Sequence, residues 1–253
     1  MKNNPELKPY YNGKNITLYN AKYEDLLPTL KPSSIDLLLT DPPYNTTNLE
    51  WDTAIDWAFF WNEAHRLCKP KSPMVLFASG QFVNKLINTN QKNYRYELIW
   101  EKNIPVGFLD ANRRPLRSHE NIIFFSQLYR GSTYNPQMIE GKMHERGKGG
   151  ANKARHYSMP NKIIPKVKTN LYHPRSILRF SRDKKSLHPT QKPLELMRWL
   201  VRSYSNRIDI ILEPFAGSGS TLVAASLEGR KAIGCEQSEE YCEIIAKRLE
   251  NGE

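Results

Sequence analysis

The segment Asp41-Pro42-Pro43-Tyr44 places a carboxylate, two prolines and an aromatic ring in consecutive positions. Proline fixes φ and has no N–H, so the carbonyl groups of this segment stay free to accept hydrogen bonds. A carboxylate, a rigid carbonyl and a flat ring suit the binding of a planar base through its exocyclic amino group. The preceding residues 35–40 are mostly apolar and predict a buried strand. The motif would therefore follow the carboxyl end of a strand, where open α/β sheets bind ligands.

Two further segments could bind a ligand. In residues 210–221 an apolar strand is followed by Phe215-Ala216-Gly217-Ser218-Gly219, a composition typical of a turn between a strand and a helix. Glycine at such a turn lets the backbone approach a ligand closely. Residues 188–193, His-Pro-Thr-Gln-Lys-Pro, lie shortly before this strand.

These three segments together resemble the motifs of β-group amino DNA methyltransferases, which methylate N6 of adenine or N4 of cytosine with S-adenosylmethionine (AdoMet). The catalytic motif precedes the cofactor motif, which is the permuted order of the β group. The implied catalytic residues are Asp41, Pro42, Pro43 and Tyr44. The implied cofactor-binding residues are Asp41, Thr190, Lys192, Glu213, Phe215, Ala216, Gly217, Ser218, Gly219, Ser220, Thr221 and Glu236.

The resemblance also implies how these residues act. The Asp41 carboxylate and the Pro42 carbonyl would accept hydrogen bonds from the target amine, and Tyr44 would stack on the base, which must be flipped out of the duplex. Glu213 would reach the methionine portion of the cofactor, and Glu236 would bind its ribose hydroxyls. The spacing of histidines, cysteines and acids predicts no metal site.

One position departs from the family pattern. Relatives often carry Gly-Asp shortly before the helix that precedes the catalytic strand, whereas this chain has Lys22 where the aspartate is expected. Glu24 and Asp25 are the candidates to replace it near the adenine of the cofactor. The affinity for the cofactor depends on which residue does so.

Positive charge is concentrated in the middle of the chain. The net charge is +11, and residues 130–185 contain fourteen lysines and arginines against three acids. This excess predicts a polyanionic partner. We assign residues 1–127 and 188–253 to the catalytic core and residues 128–187 to a target-recognition insertion. The candidate DNA-binding residues are Arg113, Arg114, Arg117, Arg146, Lys148, Lys153, Arg155, Arg175 and Arg179.

Apolar periodicity predicts strands that alternate with helices. The predicted strands cover residues 15–19, 35–40, 74–78, 96–100, 121–126, 208–213 and 231–235. The predicted helices cover residues 24–30, 53–68, 81–88, 193–204, 220–228 and 239–249. This alternation predicts an α/β fold with a doubly wound, mostly parallel sheet. The resemblance makes it the Rossmann-like AdoMet methyltransferase fold with circularly permuted motif order.

Other features of the sequence indicate the cellular location and the partners of the protein. No apolar run is long enough for a membrane span, and the N-terminus has no apolar signal region. Three cysteines without metal-site spacing predict free thiols in a reducing, cytoplasmic setting. The predicted partner is double-stranded DNA. Whether the protein forms a homodimer or works with a cognate restriction endonuclease stays open.

The sequence favours N6-adenine methylation, because aspartate at position 41 is commoner in adenine enzymes than in cytosine enzymes. N4-cytosine methylation is the alternative within the same class. A methyltransferase of RNA or protein, or an inactive DNA-binding module with the same fold, are alternatives from other classes.

Overall fold

The computed structural model describes residues 7–45, 54–148, 164–183 and 191–252. The chain divides into two compact units. The larger unit contains Met1–Asn135 and Ser176–Glu253, and the smaller unit contains Pro136–Arg175. The predicted insertion, residues 128–187, is wider than the smaller unit, because a short strand at Ile177–Arg179 joins the sheet of the larger unit.

The described residues form strands and helices in regular alternation over most of the larger unit. In chain order the elements are β1 Tyr11–Asn12, β2 Ile16–Asn20, α1 Tyr23–Leu26, β3 Leu37–Thr40, α2 Trp57–Leu67, β4 Met74–Ala78, α3 Gln81–Thr89, β5 Tyr94–Val106, β6 Arg117–Phe125, β7 Ile139–Lys148, β8 Ile164–Tyr172, β9 Ile177–Arg179, α4 Leu194–Tyr204, β10 Ile210–Glu213, α5 Ser220–Leu227, β11 Lys231–Glu236 and α6 Glu239–Asn251. Within this described part of the chain, every helix is too short or too polar to cross a membrane.

The larger unit is built on one nine-stranded sheet with the order β1-β2-β11-β10-β3-β4-β6-β5-β9. Neighbouring strands from β2 to β4 run parallel, whereas β6 is antiparallel to both β4 and β5. The predicted mostly parallel sheet is therefore confirmed. The two-residue strand β1 and the edge strand β9 were not predicted, since both are too short to show a period.

Helices cover both faces of this sheet. On β3, Leu37 and Leu39 pack on one face with α4, α5 and α6, and Leu38 packs on the other face with α1, α2 and α3. All four residues of β3 are buried. A strand that is buried on both faces has apolar residues at consecutive positions. For this reason residues 35–40 could be predicted as a strand from the sequence.

The sheet changes its winding direction between β3 and β10. After β3 the chain continues through α2 to β4 on one side, and after β10 it continues through α5 to β11 on the other side. A crevice opens at such a switch point, beyond the carboxyl ends of the strands. Asp41 directly follows β3, and Glu213 ends β10, so both carboxylates lie at this crevice.

Strands β5 and β6 form a hairpin that is longer than predicted. Their pairing continues from Tyr94 and Phe125 to Val106 and Arg117, whereas β4 pairs with β6 only as far as Ala78 and Asn121. Because β4 ends at the carboxyl edge of the sheet, the outer part of the hairpin projects beyond that edge.

The smaller unit is a two-stranded antiparallel sheet of β7 and β8. Its pairing has two register irregularities. The Tyr172 hydroxyl donates to the Lys142 carbonyl at 3.0 Å, and the His144 ring stacks on Tyr172 with centroids 4.2 Å apart. The predicted residues Lys153 and Arg155 lie outside the described residues, as do the side chains of Arg146 and Lys148 on β7.

Candidate functional site

A cavity of about 280 Å³ lies at the switch point of the sheet. One end is lined by Asp41, Tyr44, Glu120 and Lys192, and the other by residues of the turn after β10 together with Glu236. Strand ends and the turns that follow them supply most of these groups. The structure thus brings the predicted catalytic segment and the predicted cofactor segment to one cavity.

Asp41 is held by two hydrogen bonds at its end of the cavity. Its Oδ1 accepts from the Tyr44 hydroxyl at 2.8 Å, and its Oδ2 accepts from the Lys192 ammonium group. About a quarter of the Asp41 side chain is exposed, toward the cavity. Burial raises the pKa of Asp41, and the charge of Lys192 opposes that shift. The carboxylate is therefore fixed in orientation while part of it remains accessible.

Lys192, which was predicted to bind the cofactor, contacts the catalytic segment directly; its role in cofactor binding stays a prediction. The lysine is buried and forms ion pairs with Asp41 and, at 3.3 Å, with Glu120. Burial lowers the pKa of Lys192, but the two carboxylates raise it above its usual value. Thr190, the other predicted residue of this segment, lies outside the described residues.

Tyr44 is fixed by its hydroxyl and by one face of its ring. The hydroxyl donates to Asp41, and the ring stacks on Phe82 with centroids 4.6 Å apart. Burial and the charge of Asp41 raise the pKa of Tyr44 well above its usual value, so the hydroxyl stays protonated and acts as a donor. A base that stacks on Tyr44 would have to use the ring face opposite Phe82.

Glu213 is buried and is hydrogen-bonded by three neighbouring residues. Its carboxylate accepts from the hydroxyl of Thr40, from the hydroxyl of Thr221 at 2.6 Å and from the backbone N–H of Phe215 at 3.1 Å. These bonds tie the ends of β3 and β10 to the start of α5. Glu213 also lines the cavity. Its role in cofactor binding stays a prediction.

The stability of the protein is expected to rise as the pH falls from 8 toward 5, in part because of Glu213. Burial raises the pKa of Glu213 to about 8, from an ordinary value of 4.5. Between these values the folded protein holds a proton that the unfolded chain releases, so this stabilisation is complete below the lower value and is lost as the pH rises through the higher one.

The slope from this one group is at most about 1.4 kcal/mol per pH unit. Urea unfolding between pH 5 and 8.5 should show that Glu213→Gln flattens the slope relative to the unsubstituted protein. Glu97→Gln is the control, because Glu97 is exposed on β5 and accepts a hydrogen bond from the Asn121 side chain. An equal slope in Glu213→Gln and the control would contradict the prediction.

The turn after β10 is closed by Glu236, the last residue of β11. Its carboxylate accepts from the backbone N–H of Gly217 at 2.8 Å and of Ser238 at 2.9 Å. Gly217 has φ +53°, and a Cβ built there would meet nothing within 4 Å. The backbone therefore leaves open space beside a buried carboxylate. Burial raises the pKa of Glu236, and the backbone bonds oppose that shift.

The other predicted residues of this turn fall into two groups. The first group lines the cavity and consists of Phe215, Ala216, Ser218, Ser220 and Thr221. Gly219 is absent from the lining; its φ is +79°, and a Cβ there would come within 2.7 Å of Ile245 in α6. Glycine is thus required at position 219 for backbone geometry and packing, and a contact with the cofactor stays a prediction.

The structure distinguishes between Glu24 and Asp25, the two candidates to replace the aspartate that is expected at position 22. Lys22 and Glu24 both line the cavity, whereas Asp25 is not among its lining residues. Lys22 directly precedes α1, and Glu24 lies in its first turn. Tyr23 between them packs against Phe215 with ring centroids 5.0 Å apart. Of the two candidate replacements, Glu24 is therefore the one placed to contact a ligand.

Glu120 also belongs to the site, although it was not among the predicted site residues. Its side chain reaches the cavity from β6 and pairs with Lys192 and with Lys102. The only sequence signal is an acid at the start of a strand that is otherwise apolar from residue 122 onward. That position becomes informative only when the antiparallel pairing of β6 with β4 is known, because the pairing brings its first residues to the carboxyl edge.

The predicted DNA-binding arginines of the larger unit lie on the β5–β6 hairpin and on β9. Arg113 and Arg114 have 85% and 65% of their side chains exposed, and both pair with Asp110. Arg117 begins β6 and is exposed. Arg179 on β9 donates to Glu101 at 2.7 Å. In the smaller unit Arg175 is exposed; a role for any of them in DNA binding stays a prediction.

The sequence profile of a family described as DNA methylase, for N6 and N4 methyltransferases, matches residues 35–247. Among curated relatives, the type II methyltransferase M.HindIII of Haemophilus influenzae is 30% identical over 222 residues, which cover 77% of this chain and 68% of the relative. The DNA adenine methyltransferase YhdJ of Escherichia coli is 30% identical over 240 residues, which cover 88% and 79%. The match to the family profile includes the cavity-lining residues from Asp41 onward.

Solved structures share the architecture. The complex of M1.HpyAVI with AdoMet has 25% sequence identity and a TM-score of 0.64, with coverage of 92% of this chain and 100% of that protein. The cytosine-N4-specific PvuII DNA methyltransferase has 18% identity and a TM-score of 0.68, with coverage of 98% and 97%. The predicted Rossmann-like AdoMet methyltransferase fold is therefore confirmed.

Proposed function

Since this chain belongs to the family of AdoMet-dependent DNA methyltransferases that act on N6 of adenine or N4 of cytosine, we propose that it methylates N6 of adenine at specific sites in double-stranded DNA. One observation carries the proposal. The accessible carboxylate of Asp41 and the open turn at Gly217 and Glu236 line a single cavity. A site of this kind can hold an amino-bearing base and a methyl donor side by side.

The residues at the Glu236 end fit AdoMet. The space beside Gly217 accepts a ligand against the backbone, and the buried Glu236 carboxylate suits vicinal hydroxyl donors. Phe215 and Tyr23 offer aromatic surface in the same wall. When bound, AdoMet supplies a methyl group on a positively charged sulfur.

The residues at the Asp41 end activate the amine. An exocyclic amino group is a poor nucleophile, because its lone pair is delocalised into the ring. Hydrogen bonds to the Asp41 carboxylate and the Pro42 carbonyl pull the nitrogen toward tetrahedral geometry and localise that lone pair. Before the amine binds, Tyr44 and Lys192 hold the carboxylate in a fixed orientation. The contribution of the protein is positioning and electrostatics.

Two observations favour adenine over cytosine as the target. Aspartate at position 41 resembles adenine enzymes, and the relative YhdJ, named as a DNA adenine methyltransferase, is 30% identical over 88% of this chain. The cytosine-N4-specific neighbour supports only the shared fold, because its identity is 18%. N4-cytosine methylation stays the alternative.

The decisive test is methyl transfer from labelled AdoMet to unmodified double-stranded DNA, followed by digestion to nucleosides and mass spectrometry. N6-methyladenine supports the proposal, and sequencing of the marked sites then gives the target sequence. N4-methylcytosine would assign the alternative base. AdoMet binding without any transfer to DNA would instead favour an RNA or protein substrate, or an inactive binder.

The target base must leave the duplex, because a stacked and paired base cannot reach a cavity at the sheet edge. The β5–β6 hairpin is placed to contact the surrounding DNA. Its tip exposes Phe108 and Leu109 beside Arg113 and Arg114. Arginines at such a tip suit phosphate contacts, and exposed apolar side chains suit contact with unstacked bases.

Replacing both Arg113 and Arg114 with alanine is expected to weaken DNA binding about tenfold at moderate salt. The slope of log K against log salt concentration should fall by about one to two, since each lost phosphate contact contributes about 0.9. AdoMet affinity should not change. Lys247→Ala is the control, because Lys247 is also exposed and also pairs with an acid within its own segment. Equal weakening by the control would show that only net charge matters.

The smaller unit carries further positive charge, on Lys142, Lys166, Lys168 and Arg175 among its described residues. We propose it as the target-recognition element, with phosphate contacts from these side chains. The type II names of relatives such as M.HindIII favour a restriction endonuclease as a partner in the cell. Whether the protein forms a homodimer stays open.

A further inference from the structure

Four buried or half-buried charges alternate in sign next to the target-base end of the cavity. Lys102 pairs with Glu120, Glu120 with Lys192, and Lys192 with Asp41. The side chains of Lys102 and Lys192 are only 5% and 8% exposed. Two positive and two negative groups balance in total. Of the two carboxylates, only Asp41 takes part in the proposed activation of the amine, which leaves Glu120 without an assigned role.

Glu120 is incompletely bonded. Its Oε1 accepts from the Lys102 ammonium group, but its Oε2 is buried and accepts no well-formed hydrogen bond from the residues that the structure describes. The Lys192 nitrogen lies 3.3 Å from this oxygen. A buried acceptor without a hydrogen bond is costly and uncommon in native proteins. Here it is a place to which the lysine could move by a small rotation.

Lys192 donates to one of the two oxygens of the carboxylate that is proposed to accept from the target amine. Asp41 already accepts from Tyr44 on Oδ1 and from Lys192 on Oδ2. An ammonium ion at hydrogen-bond distance withdraws electron density from the carboxylate and weakens it as an acceptor for a neutral amine. The Lys192 ammonium also lies 4.9 Å over the ring of Phe77, which favours a positive charge there.

We propose that Glu120 is a positioning residue that takes over the hydrogen bond of Lys192 when the target amino group binds to Asp41. The lysine is shared by the two carboxylates, and the arriving amine shifts it toward Glu120. The proton stays on Lys192, and only a hydrogen bond is exchanged, so the net charge of the site is unchanged. This inference rests on the proposed function, because the amine is the group that displaces the lysine.

The proposal makes the titration of Asp41 depend on Glu120. Among the residues that the structure describes, the charged or titratable groups that face Asp41 are Lys192, Tyr44, Glu120 and Glu213. Those that face Glu120 are Lys102, Lys192, Asp41 and Tyr44. The charge of Glu120 raises the pKa of Asp41. Removal of that charge should therefore lower the pKa of Asp41 and bind Lys192 more firmly to it.

The test is Glu120→Gln, which keeps the shape of the side chain and removes its charge. We expect kcat for methyl transfer to fall by about 10- to 100-fold, because the lysine has no second carboxylate to move to. KM for AdoMet and for DNA should stay within about twofold. The acid limb of the kcat profile should move to lower pH. Glu120→Asp, which keeps the charge, should restore the position of that limb.

Glu97→Gln on the neighbouring strand is the matched control and should leave kcat and its pH profile unchanged. A carbon-13 NMR titration of the Asp41 carboxyl, assigned with Asp41→Asn, measures the coupling without catalysis. It should show a lower Asp41 pKa in Glu120→Gln than in the unsubstituted protein. If the pKa of Asp41 were unchanged in Glu120→Gln, Glu120 would have only a structural role. The same would follow if the acid limb of the kcat profile stayed in place while the melting temperature fell. Failure of the unsubstituted protein to methylate DNA would instead overturn the proposed function, and the NMR titration would still decide the coupling.

Discussion

Asp41→Ala is expected to lower kcat for methyl transfer by about 10²–10³-fold and to leave AdoMet binding within a few fold. The loss of one preorganised hydrogen-bonding group aimed at the reacting atoms has an effect of this size in other enzymes. In this protein the carboxylate is fixed from two sides, by the Tyr44 hydroxyl and the Lys192 ammonium group. Alanine removes the acceptor and leaves the cavity wall at the Glu236 end untouched.

Single-turnover methylation, AdoMet binding by calorimetry and thermal unfolding measure the three effects separately. Asp209→Ala is a suitable control, because Asp209 lies in the turn before β10, at the other end of that strand. The control should methylate at nearly the original rate. Full methylation by Asp41→Ala would remove Asp41 from the mechanism.

Unfolding of Asp41→Ala also tests how Lys192 is stabilised. A buried lysine that loses its partner carries an uncompensated charge, which costs several kcal/mol when no second partner exists. Lys192 has a second partner in Glu120 at 3.3 Å. We therefore expect only a small loss of stability, and a large loss would show that Glu120 cannot accept the lysine.

The sequence predicted the centre of the sheet well because its strands are buried on both faces. Leu37, Leu38 and Leu39 form an apolar run that is incompatible with an exposed segment. The end of this run therefore predicts the position of Asp41 in the fold. The same reasoning located Glu213 at the end of β10 and Glu236 at the end of β11. Parallel strands bring such ends to one edge without further information.

Contacts between distant parts of the chain were not predictable in this way. Lys192 and Asp41 are 151 residues apart in sequence, and no local pattern specifies that their side chains meet. The family resemblance implies that Lys192 binds the cofactor, which stays a prediction, and it does not specify the ion pair with Asp41. Glu120 was missed because an antiparallel strand carries its amino end, not its carboxyl end, to the functional edge.

The strands of the smaller unit were missed for a different reason. In β8, Val167 and Leu171 are exposed between lysines and polar residues, so the side chains that are described for this strand form no buried face that would impose a period of two. Ile139 at the start of β7 is exposed as well. Hydrophobic alternation signals a strand only when one face packs on a core. In a two-stranded ribbon of this composition, positive charge is the informative feature of the sequence. That charge predicts a polyanionic partner but does not predict strands.

Glu236→Ala is expected to raise the Kd for AdoMet about a hundredfold and to leave DNA binding unchanged. The carboxylate bonds two backbone N–H groups that shape the cofactor end of the cavity, and it is the acid implied to bind the ribose. Lost bonds to a charged acceptor cost about 1.5–3 kcal/mol each, and about 2.8 kcal/mol corresponds to a hundredfold change. Calorimetric titration with AdoMet measures the change, and Glu240→Ala, exposed at the start of α6, is the control. If Glu236→Ala bound AdoMet as tightly as the control, the cofactor would have to lie elsewhere in the cavity, and Gly217 would be open for a reason other than ligand approach.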